Sequence, residues 1–356
     1  MTQQTQLSRR SFLRRAGGTA LLVPLSTGAI GAVLSACSRA ANGEGEAREL
    51  STTYMTAFGL GTNFIEVMVA AERGFFDEEG LDVEIMGGQG SGPAIQSVLS
   101  ESAELARTDP INSIPAVVNE GAVLTNIATA QQVSPFEIAS LPDNPLTAPG
   151  DLEGKTIGIV SAGGGTDTLL NLLLISAGLP LETVSRPVVG VGFAPYELAR
   201  NGEIDGWVAQ STARALIERE EGVELPLILP DDHVSLPSSS YILSREQTGE
   251  SSEVPVRFLA GVLRAMTWML DEGNHEQAIA DLRVYNPDVD PEQAAVELPL
   301  LVESWTAGGG EDSLLELHPD TWEQAQTQLR EAGLIEEVVP LEQLIDTSYL
   351  DQVKGR

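Results

Sequence analysis

Cysteine is almost missing from this chain. Cys37 is the single one, so no disulfide can close within the chain, and no cysteine nucleophile or cysteine metal site exists beyond that position. Lysine is nearly as scarce, with Lys155 and Lys354 alone, and 20 basic residues stand against 52 acidic ones for a formal charge of −32. Such a chain repels nucleic acid, whose phosphates need clustered Lys and Arg. Anionic membrane repels it too, so attachment to a membrane has to come from a lipid. The acid excess by itself speaks to solubility rather than to a site. His233, His275 and His318 are scattered, so no histidine-pair metal motif forms and no metal or cofactor is expected. No Gly-x-Ser-x-Gly elbow occurs, which removes the usual serine-hydrolase reading.

What is present begins at the N-terminus. Ser8-Arg9-Arg10-Ser11-Phe12-Leu13 pairs two arginines before an aromatic and an aliphatic residue; Arg14 and Arg15 follow, then an uncharged stretch from Ala16 to Val33. Basic segment, apolar segment and small residues in that order predict an export signal over residues 1–37, and the arginine pair points to the twin-arginine route. Pro24 and the glycines make the apolar stretch a poor membrane-spanning helix. Leu34-Ser35-Ala36-Cys37 resembles the lipobox of bacterial lipoproteins, which implies lipidation of Cys37 and a place on the outer face of the cytoplasmic membrane. Residues 38–50 are small and polar and read as a flexible tether. Beyond Cys37 the chain holds 16 basic and 52 acidic residues, a net of −36.

With 42% apolar residues, the remainder buries an ordinary core, and its length suits two domains. Short apolar runs at Thr53–Phe58, Leu81–Met86, Ala103–Thr108 and Val123–Gln131 alternate with helical spacing at Asn63–Glu72, Pro93–Ser100 and Asn112–Asn119. The pattern restarts with strands at Thr156–Val160, Pro187–Val191, Ile204–Ala209 and Leu225–Leu229, and with helices at Asp167–Ala177, Tyr196–Asn201 and Thr212–Glu220. Beyond Ser244 the spacing is helical, with segments at Pro255–Asp271, Glu276–Tyr285, Pro291–Glu303 and Asp320–Glu331. Alternating strands and helices predict an α/β fold of mainly parallel sheets. The middle unit looks inserted: lobe I over 50–133 plus 238–356, lobe II over 134–237. A two-strand hinge is expected near Gln131–Pro135 and Leu236–Ser240.

Several motifs together resemble the substrate-binding proteins of ABC importers, in the SsuA/THI5-like (NMT1-type) branch of sulfonate, nitrate, riboflavin and thiamine-pyrimidine binders. They are Val69-Ala70-Ala71-Glu72-Arg73-Gly74-Phe75-Phe76 with Glu79-Gly80-Leu81-Asp82-Val83; Asp151-Leu152-Glu153-Gly154-Lys155-Thr156-Ile157-Gly158; Asn201-Gly202-Glu203-Ile204-Asp205-Gly206; and Glu331-Ala332-Gly333-Leu334-Ile335 with Asp346-Thr347-Ser348-Tyr349-Leu350. The resemblance implies a periplasmic-binding-protein type II fold: two lobes that close on a small molecule and deliver it to a membrane permease. A monomer is expected, and no enzymatic activity, because the chain offers no recognisable nucleophile–base set. A sensory ligand-binding lipoprotein, or an enzyme on the same fold, is the alternative.

Ligands of open α/β sheets sit beyond the carboxyl ends of the strands. That rule nominates Phe58 and Asn63, Gly88 and Gln89, and Arg107, Thr108 and Asp109 in lobe I. In lobe II it nominates Ser161, Gly163, Gly164, Gly165 and Thr166, then Phe193 and Gln210, while Gln131 and Tyr241 lie by the crossovers. The Ser161–Thr166 loop lets backbone N–H groups approach an anion or a carbonyl, with Thr166 as the expected helix cap, but no Gly-Lys-Ser/Thr follows it. Arg107 either clamps an anion by its planar fork or pairs with Asp109 or another acid. Phe58, Phe193 and Tyr241 are placed to sandwich a ring, with Asn63 and Gln210 as amide partners. Trp207, inside a strand, reads as packing. The ligand class stays open between a heteroaromatic molecule and a sulfonate-type anion.

Overall fold

The computed structural model describes residues 50–248 and 253–355. The twin-arginine segment, Cys37 and the tether up to residue 49 lie outside the described residues, and Leu50, expected to end the tether, already begins the first strand. That strand, β1 (Leu50–Met55), is followed by α1 (Ile65–Glu72), α2 (Phe75–Glu78), β2 (Leu81–Met86), α3 (Ser91–Leu99), β3 (Leu105–Thr108), α4 (Pro110–Glu120) and β4 (Leu124–Thr129). The chain then crosses into a second unit: β5 (Phe136–Ser140), β6 (Ile157–Gly158), α5 (Gly165–Ser176), α6 (Phe193–Arg200), β7 (Gly206–Gln210), α7 (Ser211–Glu221) and β8 (Leu227–Ile228). It returns as β9 (Ser240–Ser244) and ends in α8 (Glu253–Met269), α9 (His275–Tyr285), α10 (Pro291–Thr306), α11 (Pro319–Glu331) and α12 (Ser348–Lys354).

The first sheet has the order β2-β1-β3-β9-β4 and the second β6-β7-β5-β8. Both depart from the mainly parallel expectation at one strand. β9 runs antiparallel to β3 and β4, and β5 runs antiparallel to β7 and β8. The reason is the direction of entry. Each crossover reaches its sheet at the end where the parallel strands finish, so the entering strand has to run back. Thr108 and Thr129, at the ends of β3 and β4, both lie opposite Ser240, the first residue of β9.

Two sequence expectations fail locally. β5 follows Pro135 and holds a glutamate among its five residues, so it carries little strand signal, yet Glu137 is buried and paired with Arg214. The strand expected at Pro187–Val191 makes only isolated bridges at Ser185 and Val188, because Pro187 has no N–H to give a ladder.

The helices bury apolar stripes on these sheets. α1 carries Ile65, Val67, Met68 and Val69 into a core shared with α8 and β1, where Tyr54, Phe76 and Tyr241 surround Phe258. A second apolar cluster joins α3, α4 and α11 to α5 and β6, so it spans both sheets. Trp207 packs edge-on against Tyr196 in a third, as packing. The crossovers hold one another: Ala130 N–H donates to the Ser239 carbonyl at 2.7 Å, and Ser134 N–H donates to the Asp231 carboxylate at 2.9 Å. Among the described residues no helix is long and apolar enough to cross a membrane.

Candidate functional site

The carboxyl ends of β1, β3, β4, β6 and β7 open onto one cleft beside the crossovers. A cavity of about 420 Å³ lies between Phe58, Asn63, Gln210 and the start of α10. One of about 370 Å³ runs from Asn63, Gln131 and Ser134 to Gln210, Arg214 and the far half of α10. A third, tighter space lies between Asp109, Gly165 and Ser238. Asn63 and Gln210 wall the first two, while Ser134, Pro135 and Asp231 wall the second and third, so the three are parts of one groove. The two larger parts have the size of small-molecule sites. α7 packs against α10 across this region.

Of the residues nominated from sequence, the fold brings Phe58, Asn63, Asp109, Gln131, Gly165 and Gln210 to the groove. Phe58 is 63% exposed and presents its ring to the larger cavity. Gln210 ends β7 and occupies the cap position of α7, where its register partner is Phe136. Gly88 and Gln89 shape the Phe58 loop without walling the groove. Gly88 N–H donates to Thr56 Oγ1, Gly59 N–H donates to the Gly88 carbonyl, and Gln89 bridges Phe58. A Cβ on Gly88 would sit 2.0 Å from the Thr56 carbonyl oxygen, which is why glycine stands there.

The Ser161–Thr166 loop is filled by the chain itself. Gly163 N–H donates to the Asp167 carboxylate at 2.9 Å, and Asp167 in turn pairs with Arg186 at 2.7 Å. Gly164 is the cap of α5, packed so that a Cβ would meet Ser161 Oγ at 2.1 Å. Thr166 is not the cap; its buried hydroxyl accepts from Val160 N–H at 3.3 Å. Ser161 and Gly163 are exposed, and Phe193 lies against the core around Trp207.

Arg107, Thr108 and Tyr241 are corrected by burial. Arg107 is 1% exposed, and its guanidinium donates to Glu66 Oε1 at 2.7 Å, the Asn63 carbonyl at 2.6 Å, Gln131 Oε1 at 3.1 Å and Ser239 Oγ at 2.7 Å. Its planar fork is therefore spent on the protein, and its acid is Glu66 rather than Asp109. Tyr241 is fully buried and donates to the same Glu66 oxygen at 2.6 Å, so it belongs to the core and not to a ring sandwich. Thr108 is fully buried beside it. Burial pulls the Arg107 guanidinium down, but Glu66 and the two tyrosines more than offset that and hold it above its ordinary value. Burial, then Glu66, pushes the Tyr241 phenol well up.

The groove's own titratable groups are acids apart from Arg214. Burial pushes Asp109 up to about 6, with Arg107 pulling the other way. Asp231 is raised by burial and eased by the Ser134 N–H. Sequence reading missed Asp231, Ser134, Arg214, Ser238 and α10, all brought in by tertiary structure. It also missed Glu66, whose signal was there: one acid inside the apolar run Ile65–Ala70.

Two α/β units joined by two crossovers, with a groove at the carboxyl ends of their strands, define a periplasmic-binding-protein fold of type II. The chain belongs to the NMT1/THI5 like family, whose profile matches residues 61–275. It is 22% identical over 296 residues to the riboflavin-binding protein RibY of Chloroflexus aurantiacus, covering 81% of this chain and 82% of that one. The periplasmic nitrate-binding protein NrtA of Synechocystis superposes with a TM-score of 0.65 at 13% identity, over 86% of this chain and 88% of the other. The aliphatic sulphonate binding protein SsuA of Escherichia coli gives 0.61 at 16% identity, over 83% and 90%. The desulfurization enzyme DSZB, at 0.57 and 16% identity over 86% and 99%, carries the same fold.

Proposed function

We propose that the chain is the extracytoplasmic solute-binding component of an ABC importer. It captures a small organic molecule by closure of two lobes, 50–133 with 238–356 and 134–237, and hands it to a membrane permease. Lipidation at Cys37 after twin-arginine export would hold it on the outer face of the cytoplasmic membrane, as a monomer. The observation that carries this reading is the groove itself. Asn63 and Gln131 from one unit, with Gln210 from the other, converge on cavities of small-molecule size beside the two crossovers between the units. The names of its likenesses, which bind riboflavin, nitrate and sulphonates, support a small solute and a binding rather than a catalytic role.

Capture stabilises the bound form by RT ln(1 + [L]/Kd), about 2.7 kcal/mol at a hundredfold excess over Kd. A thermal-shift screen of small cations, neutral heteroaromatics, sulfonates and nitrate should yield a hit that raises Tm. Small-angle scattering with that hit should show a smaller radius of gyration, because hinge closure compacts the molecule. A hit that is consumed and released as product would turn the assignment to an enzyme.

A further inference from the structure

We infer, on the reading just given, that the solute is an organic cation, and that Asp109 is the residue that receives its charged nitrogen. The walls of the groove show why. Asp109 and Asp231 line its tight part, Asp232 and Glu303 one larger cavity, and Asp288 and Glu297 the other. Against these acids, the one basic side chain among the lining residues is Arg214, and it is already bound to both Glu137 and Glu218. Arg107, the other guanidinium nearby, faces inward onto Glu66. The start of α5, the usual place for an anion, has Asp167 there instead. An oxyanion would find no free positive charge and several negative ones.

Asp109 differs from the other acids. It begins α4 without capping it, and no hydrogen bond from a described residue reaches its carboxylate. Burial raises it only to about 6, so at neutral pH it is ionised and without an ion-pair partner of its own. A second, independent group looks onto the same space: Ser238, 4% exposed, lines it, and its hydroxyl has no partner among the described residues. A half-buried carboxylate that takes no hydrogen bond and a buried hydroxyl without a partner, both on the wall of one cavity, fit a ligand that donates hydrogen bonds and carries positive charge.

Isothermal titration with benzamidine, benzoate and benzenesulfonate, three rings of similar size and different charge, tests this on the whole chain. Benzamidine should bind and the two anions should not. Asp109→Asn should weaken benzamidine roughly tenfold to a hundredfold, the range for a charge-assisted contact, and Ser238→Ala should weaken it less. Asparagine starts helices as well as aspartate does, so the variant keeps its fold, which its unfolding curve checks. Preference for benzenesulfonate, or an Asp109→Asn variant that holds benzamidine undiminished, would overturn the assignment and leave solute capture standing. No binding by any probe, together with an empty solute screen, would overturn both.

Discussion

At the scale of single residues, an acid held in a groove at a cost is a sign of use. Asp109 is raised to about 6 by burial, against an ordinary value of 3.8. The folded state therefore binds that proton more tightly than the unfolded chain, and stability falls as pH rises from about 4 to about 6. Above that window the penalty is complete, on the order of 2 kcal/mol after allowing for its partial exposure. Asp109→Asn should raise stability by about this amount at pH 7, and the gain should shrink to nothing near pH 4 in urea titrations. An equal gain at both values would remove the charge from the explanation. Asp109 was legible in the sequence as a strand-end acid. Its lack of a partner was not, because that depends on Arg107 turning away to Glu66, 41 positions earlier in the chain.

At the scale of elements, helices were legible because their apolar faces repeat within one segment, as in α8, where Phe258, Leu259, Val262 and Met266 share a buried stripe. What stayed hidden depends on partners far along the chain. β5 owes its existence to β7 and β8, and the Gly163–Asp167 contact replaces the cap expected at Thr166. Gly261 shows the same limit. In the middle of α8 an alanine would gain about 1 kcal/mol of helix propensity. A Cβ there would lie 2.4 Å from Phe76, whose ring stacks on Phe258 at 5.4 Å. Overpacking of that kind costs about 1–3 kcal/mol, so Gly261→Ala should lower stability on balance in chemical denaturation. A more stable variant would mean that the Phe76 ring yields freely.

At the scale of the whole molecule, the two-lobed plan was legible from the restart of the strand–helix pattern, while the tie between its parts was not. Arg107 is that tie. It reaches Asn63 on the loop after β1, Gln131 on the outgoing crossover and Ser239 on the returning one. Arg107→Met would leave the Glu66 carboxyl inside the core without its guanidinium, with the Tyr241 hydroxyl as its remaining partner among the described residues. Losing one partner of a buried pair costs about 3–5 kcal/mol, and urea unfolding should show it. A loss below 1 kcal/mol would mean the pair contributes nothing net.

The position of β9 carries a consequence for how the chain is made. β9 is the strand between β3 and β4, yet it lies more than a hundred residues after them. Until residue 244 has been synthesised, those two strands have no neighbour to join them, and Arg107 lacks Ser239. Every strand of the second sheet lies between 136 and 228, so that sheet is complete on the ribosome while the first is still open. All strands of the inserted unit are therefore present in the growing chain before the unit that begins it can complete its sheet.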